Sequence, residues 1–202
     1  MHQLLLATRN PHKTREFAEI LGDGFHLSDL TGVASLPAVE ETGLTFEANA
    51  ILKAVETSRH FQGLVVADDS GLAVDALNGA PGIFSARYAG ERASEAENVA
   101  KLLRELSGCD PVAARSARFR CVLALAQEGQ VLGTFEGVIE GRIVREPRGS
   151  AGFGYDPVFE PSGFVHTFGE LSSTEKNRIS HRARTIRALR IALMAKFRLS
   201  PR

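Results

Sequence analysis

Apolar positions along this chain switch between two periods. Gln3–Ala7 is a short apolar run of buried-strand length. Asn10 and Pro11 follow as the N-cap and first position of a helix, where proline's missing N–H costs nothing. Phe17, Ile20 and Leu21 give that helix one apolar stripe, and Gly22–Gly24 ends it. Phe46 to about Arg59 reads as a second helix, capped by Thr45, with Glu47 in its first turn. Leu64–Ala67 is another apolar strand, broken by Asp68-Asp69-Ser70-Gly71, and Leu72–Val74 is a further one. Ala80–Tyr88, with Pro81-Gly82, reads as a loop.

Ser94 and Glu97 have the spacing of a capping box. Val99, Leu102, Leu103 and Leu106 follow at helical intervals, with Gly108 as the stop. Ala117–Ala126 alternates, placing Phe119, Cys121, Leu123 and Leu125 on one face. Glu128-Gly129 suits a hairpin turn, Val131–Val138 is its return strand, and Gly141–Val144 adds another. The glycine-rich stretch Gly149–Gly154 leads into Tyr155–Phe159. A last helix runs from about Ser180 to Phe197, with Ile186, Leu189 and Leu193 inward and Leu199–Arg202 as a loose tail. Strand and helix alternate through the first half, which predicts an α/β fold.

Composition changes this picture little. The 202 residues suffice for one large domain or two joined lobes, and 44% hydrophobic content supports a sizeable core. Lys plus Arg equals Asp plus Glu at 24 each, against the basic excess of a duplex-binding protein. Any phosphate recognition is therefore local. The basic residues concentrate between Lys176 and Arg190, which is either a solvated helix face or a set of donors. Cys109 and Cys121 form no C-x-x-C pair, so zinc and disulfide frameworks have no support. No secretory signal or membrane-length apolar run is present, and a cytoplasmic location is expected.

Five segments carry chemistry. Thr8, Arg9, Asn10, Pro11, His12 and Lys13 lie between a strand and a helix, whose free N–H groups and dipole suit a phosphate. The pattern is not a Walker A loop, and an ordinary turn with a surface lysine fits it too. Glu40-Glu41-Thr42-Gly43 precedes a helix bearing Asn49 and Lys53. Its carboxylates suit Mg²⁺, or simply a solvated loop. Asp68-Asp69-Ser70 directly follows an apolar strand, where α/β ligand sites lie, and the acids can hold a metal, take a proton from water, or cap a turn. Gly152-Phe153-Gly154-Tyr155-Asp156 leaves an aromatic ring open for stacking on a base, unless Phe153 is core. Lys176 with Ser180-His181-Arg182 offers donors for keto oxygens.

In their order and company these segments resemble the inosine triphosphatase family of nucleoside-triphosphate pyrophosphatases. The resemblance rests on Thr8–Lys13, Glu41–Phe46, Ala67–Leu72, Gly79–Tyr88, Gly152–Pro157 and Ser180–Arg182, and spans nearly the whole chain. Arg9 departs from it, since several members carry glycine there, so the turn does not need positive φ at that position.

The resemblance implies one domain over residues 1–202: a long, bent, mixed α/β sheet flanked by helices, in two lobes around a central cleft, usually as a homodimer. It implies Mg²⁺-dependent hydrolysis of ITP, dITP and XTP to the monophosphate and pyrophosphate. Thr8, Asn10, Lys13 and Lys53 would hold the triphosphate. Glu40, with Glu41 as its alternative, and Asp69 would hold Mg²⁺; Asp69 would also be the general base, and Ser70 would contact substrate. Phe153 would stack on the base, with Gly154, Tyr155 and Asp156 shaping its pocket. Lys176, His181 and Arg182 would read the base edge. The rival readings are a pyrophosphatase of modified pyrimidine triphosphates and a non-catalytic nucleotide- or RNA-binding module. Steep salt dependence of nucleic-acid binding would mark the latter.

Overall fold

The computed structural model describes residues 2–32, 36, 39–110 and 112–197. The tail expected at Leu199–Arg202 lies outside them. The elements are β1 (His2–Leu6), α1 (Pro11–Leu21), β2 (Phe25–Asp29), α2 (Phe46–Ser58), β3 (Leu64–Val74), α3 (Glu95–Glu105), β4 (Ser116–Gln127), β5 (Gln130–Ile143), β6 (Phe159–Pro161), α4 (Ser173–Ile179) and α5 (His181–Phe197). The strands form one mixed sheet of order β2-β1-β3-β4-β5-β6. β1 runs parallel to β2 and β3, and β5 antiparallel to β6.

Two compact units divide the chain. One holds the described residues within 1–69, 121–137 and 182–202; the other holds 70–120 and 138–181. Each has its own core. In the first, Leu4, Leu6, Phe17, Val66, Leu123, Ile186, Leu189 and Leu193 are fully buried. In the second, Leu72, Val74, Leu102, Leu106, Ile143, Phe159 and Phe168 are.

Local signals place the helices. Asn10 caps α1 by accepting from the His12 and Lys13 N–H groups, and Thr45 caps α2 by accepting from Ala48 N–H. Ser94 and Glu97 form both bonds of the capping box on α3. The β4–β5 turn is Glu128-Gly129, with φ 53° and 78°, the positive values a two-residue hairpin needs.

Three expectations are corrected. Asp68-Asp69-Ser70-Gly71 does not break a strand: β3 runs unbroken from Leu64 to Val74, with Asp68 and Asp69 buried in it. Val131–Val138 and Gly141–Val144 are not separate strands, because β5 continues through Gly141. A Cβ there would lie 2.4 Å from the Glu160 carbonyl oxygen, so the glycine marks the close approach of the paired strand β6, not a strand end. The loop at Ala80–Tyr88 contains a 3₁₀ turn over Gly82–Arg87. Two elements, β2 and α4, had not been expected from the sequence.

Candidate functional site

Each unit carries its own cluster of polar groups. In the first, the turn after β1 is self-braced: Thr8 Oγ1 accepts from Asn10 N–H at 3.2 Å, and Asn10 Oδ1 accepts from His12 and Lys13 N–H at 2.9 and 3.3 Å. Arg9 is exposed and donates to the Leu36 carbonyl oxygen at 2.6 Å. Its backbone is not among the positive-φ residues, as the sequence required. Pro11 and His12 are exposed at the helix start.

From this turn Lys13 reaches into the strand and pairs with Asp68 Oδ1. The other oxygen of Asp68 accepts from Arg182 Nε at 2.9 Å and from the Cys121 thiol at 3.2 Å. Arg182 also pairs with Glu16 Oε2 at 2.7 Å. Burial alone would raise the Asp68 carboxyl, but the Arg182 and Lys13 cations outweigh it and hold it well below the ordinary carboxylate value. Arg182 was expected to read a base edge; the structure closes it, 2% exposed, into this acid network.

Asp69 points to a different set of partners. Lys53 Nζ, on α2, lies 3.1 Å from Asp69 Oδ1, 2.7 Å from Glu41 Oε1 and 2.9 Å from the Asp68 carbonyl oxygen. Burial raises the Asp69 carboxyl; Lys53 pulls it down and Glu41 pushes it up, leaving it above its ordinary value. Burial disfavours the Lys53 ammonium, yet Asp69 and Glu41 outweigh this and keep it charged. Asp69 Oδ2 is buried and takes no hydrogen bond among the described residues. Of the two neighbouring glutamates, the structure brings Glu41 to Lys53, whereas Glu40 is exposed. Among the described residues no three His, Cys, Asp or Glu side chains converge on one metal position.

The second unit's cluster is aromatic. Lys176 lies with its ammonium 2.6 Å from Asp156 Oδ2, 4.7 Å from the centre of the Phe153 ring and 5.7 Å from that of Phe168. Asp156 Oδ2 also accepts from Phe153 N–H at 2.8 Å. Gly152, at φ 77°, makes this possible: a Cβ there would sit 2.0 Å from the same oxygen. Phe153 itself is half-buried, so its ring is not core as the alternative reading had it. Gly154, at φ 61°, has open space where a side chain would stand. Tyr155 is turned inward, its hydroxyl donating to the Ser85 carbonyl oxygen at 2.9 Å. His181 stacks on Phe119 with ring centres 4.8 Å apart and 11° between planes. Ser70 is half-buried in β3. Lys176 is no solvated charge: it is 4% exposed.

Sequence reasoning did not single out Cys121 or Arg182 as partners of Asp68, nor Glu16 as a partner of Arg182. A buried acid flanked by another in an apolar strand is the only local sign that distant cations must reach it.

Fold and cluster together define an α/β protein in which side-chain cations rest on buried or half-buried carboxylates. Within that class the assignment is specific: the chain belongs to the Ham1 family, whose model matches residues 4–192. It is 50% identical over 190 residues to a dITP/XTP pyrophosphatase of Bacillus licheniformis, covering 94% of this chain and 96% of that one. Its structure is similar to that of a HAM1 protein from Coxiella burnetii, with TM-score 0.87 and 43% identity over 96% of this chain and all of that one. A nucleoside-triphosphatase / dITP/XTP pyrophosphatase from Mycobacterium abscessus gives TM-score 0.74 at 46% identity, over 93% and 98% of the chains.

Proposed function

We propose that this protein hydrolyses nonstandard purine nucleoside triphosphates, dITP, XTP and ITP, to the monophosphate and pyrophosphate, and so clears them from the nucleotide pool. The observation that carries this reading is the full-length similarity to dITP/XTP pyrophosphatases at 50% identity. The geometry supplies a part for each group. Thr8 and Asn10 would meet phosphate oxygens at the positive end of the α1 dipole, with Arg9, Pro11 and His12 framing them. Lys13 and Lys53 would add charge.

Asp69 has the features of a divalent-metal ligand: one buried oxygen without a hydrogen bond and a second carboxylate, Glu41, sharing its lysine. The hard oxygen set fits Mg²⁺, which takes one or two carboxylates and completes its shell with phosphate and water. Glu41 and Asp69 would hold it, with Glu40 next along the loop. When bound, the ion would offset the charge building on the leaving pyrophosphate. Asp69 would take a proton from the attacking water. Water's oxygen would bond to the α-phosphorus as the α–β bridging bond breaks.

In the second unit Phe153 would stack on the base, with Gly154, Tyr155, Asp156 and Ser70 shaping its surroundings. Lys176 and His181 would donate toward a 6-keto oxygen. An amino group at that position meets donor with donor, and a buried unpaired donor costs about 1–3 kcal/mol, which disfavours ATP. Arg182 rests in two buried ion pairs, so edge reading by it requires exchange of a partner. The same reading carries a homodimer working in the cytoplasm without nucleic-acid or membrane partners. Among the described residues no helix is long and apolar enough to cross a membrane.

The test is pyrophosphate release from dITP, ITP, XTP, GTP, ATP and dTTP, each with and without Mg²⁺. Release from dITP, ITP and XTP, dependent on the metal, is the expected result. Release from dTTP alone would overturn the base assignment, and none from any nucleotide would overturn the reading.

A further inference from the structure

The Lys53 ammonium does not project from α2 as a waiting phosphate ligand. It sits between Glu41 Oε1 and Asp69 Oδ1, at 2.7 and 3.1 Å, and takes the Asp68 carbonyl oxygen at 2.9 Å as its third acceptor. An ammonium has three N–H donors, and here each has an oxygen. These are hard oxygens of two carboxylates and a carbonyl, the donor set a small divalent cation takes. The side chain is only 14% exposed, and Asp69's is 9%, so the attraction is little screened by solvent.

We infer that Lys53 occupies the seat of the divalent cation in the substrate-free protein, so that lysine and metal compete for Glu41 and Asp69. The inference rests on the pyrophosphatase reading for what relieves the competition. A polyphosphate gives the ammonium another anion, Lys53 moves to it, and the two carboxylates pass to the metal. Two cations within bonding distance of the same carboxylate oxygens repel one another, so the metal alone must displace the lysine into solvent or an unfavourable position. The free protein therefore holds a divalent ion weakly and gains affinity when triphosphate binds; by linkage the metal strengthens triphosphate binding by the same factor. Lys53 thus guards the buried Asp69 and half-buried Glu41 carboxylates against stray cations and keeps them neutralised until a substrate brings its own charge.

The neighbouring lysine provides an internal control. Lys13 also lies close enough to lower the Asp69 carboxyl, but its ammonium rests on Asp68, off the Glu41–Asp69 pair. Removing Lys13 changes the local field; removing Lys53 changes the field and vacates the seat.

The experiment measures Mn²⁺ binding by electron paramagnetic resonance, without nucleotide, to the wild-type protein and to Lys53→Met, Lys53→Gln and Lys13→Met. Circular dichroism and thermal melts check that each is folded. Binding at least about tenfold tighter in a folded Lys53 variant is expected, with a clearly smaller gain in Lys13→Met and loss of the gain when Asp69→Asn is added. Equal or weaker binding in the Lys53 variants, or an equal gain in Lys13→Met, overturns the inference. If both Lys53 variants unfold, wild-type Mn²⁺ binding with and without inorganic tripolyphosphate decides. Affinity of the protein–tripolyphosphate complex no greater than that of protein and tripolyphosphate separately overturns it. The parallel dITP and XTP assay on wild type keeps failure of the functional reading distinct.

Discussion

The two polar clusters solve the problem of buried charge differently. In the first unit the cations share acceptors: Lys53 touches three oxygens, and Asp68 takes both Lys13 and Arg182. A partner lost to a ligand can be replaced from the same network. In the second unit Lys176 is set against the Asp156 carboxylate and the Phe153 and Phe168 rings, beside a loop whose Gly152 admits no side chain. That arrangement is a fixed platform. The difference matches the two jobs proposed: charge that must change hands during turnover, and an aromatic surface that must keep its shape.

The sharpest way to break the comparison is Asp69→Asn. It keeps the shape of the first cluster while removing its proton acceptor and one metal oxygen, and kcat should fall by about 10²- to 10⁴-fold with nucleotide binding still measurable. Comparable kcat in the variant would remove Asp69 from its role. Next is Asp156→Asn, which removes the buried carboxylate set against Lys176, itself 4% exposed. A destabilisation of about 3–5 kcal/mol in denaturant melts is expected, as for a broken buried pair. A loss below about 1 kcal/mol would mean the second cluster is as exchangeable as the first.

His181→Ala should act on selectivity more than on rate. The ratio of kcat/KM for ITP over ATP should narrow by roughly tenfold, the order of one unpaired buried donor. An unchanged ratio would move base reading to other residues. The smallest effect concerns pH. Asp68 has its carboxyl held below 3.8, so it contributes stability above that value which is lost as pH falls through the depressed one. Asp68→Asn should therefore show less acid loss of stability than wild type. Parallel melting curves down past that pH would contradict the assignment.

What could be read from the sequence was what has a local cause. The caps at Asn10, Thr45 and Ser94 and the Glu128-Gly129 turn are satisfied within a few residues, so their signals were visible without the fold. The candidate segments were visible as motifs, and Thr8, Asn10, Lys13, Lys53 and Asp69 fall in one unit. The continuity of β3 was not readable. Two acids in succession look like a turn, and only cations from α1, α2 and α5 make them tolerable in a strand. The pairing of Arg182 with Asp68 and Glu16 was not readable either, since nothing local to a basic run shows which distant acids it meets. β2 was hidden because Phe25–Asp29 is short and half polar; α4 was not, for Ser172 and Glu175 form a capping box that the spacing already offered.

Cys121 gives the first cluster a built-in clock. Its thiol is fully buried, donates to Asp68, and is pushed well above the ordinary thiol range, first by burial and then by that carboxylate. A thiol reagent can reach it only when the packing around Asp68 opens, whereas Cys109 is half-buried. The rate at which Cys121 is labelled, set against Cys109 in the same sample, therefore counts local openings of the acid network. Slower labelling in the presence of a triphosphate would report ligand protection of that network directly, with no enzymatic signal required.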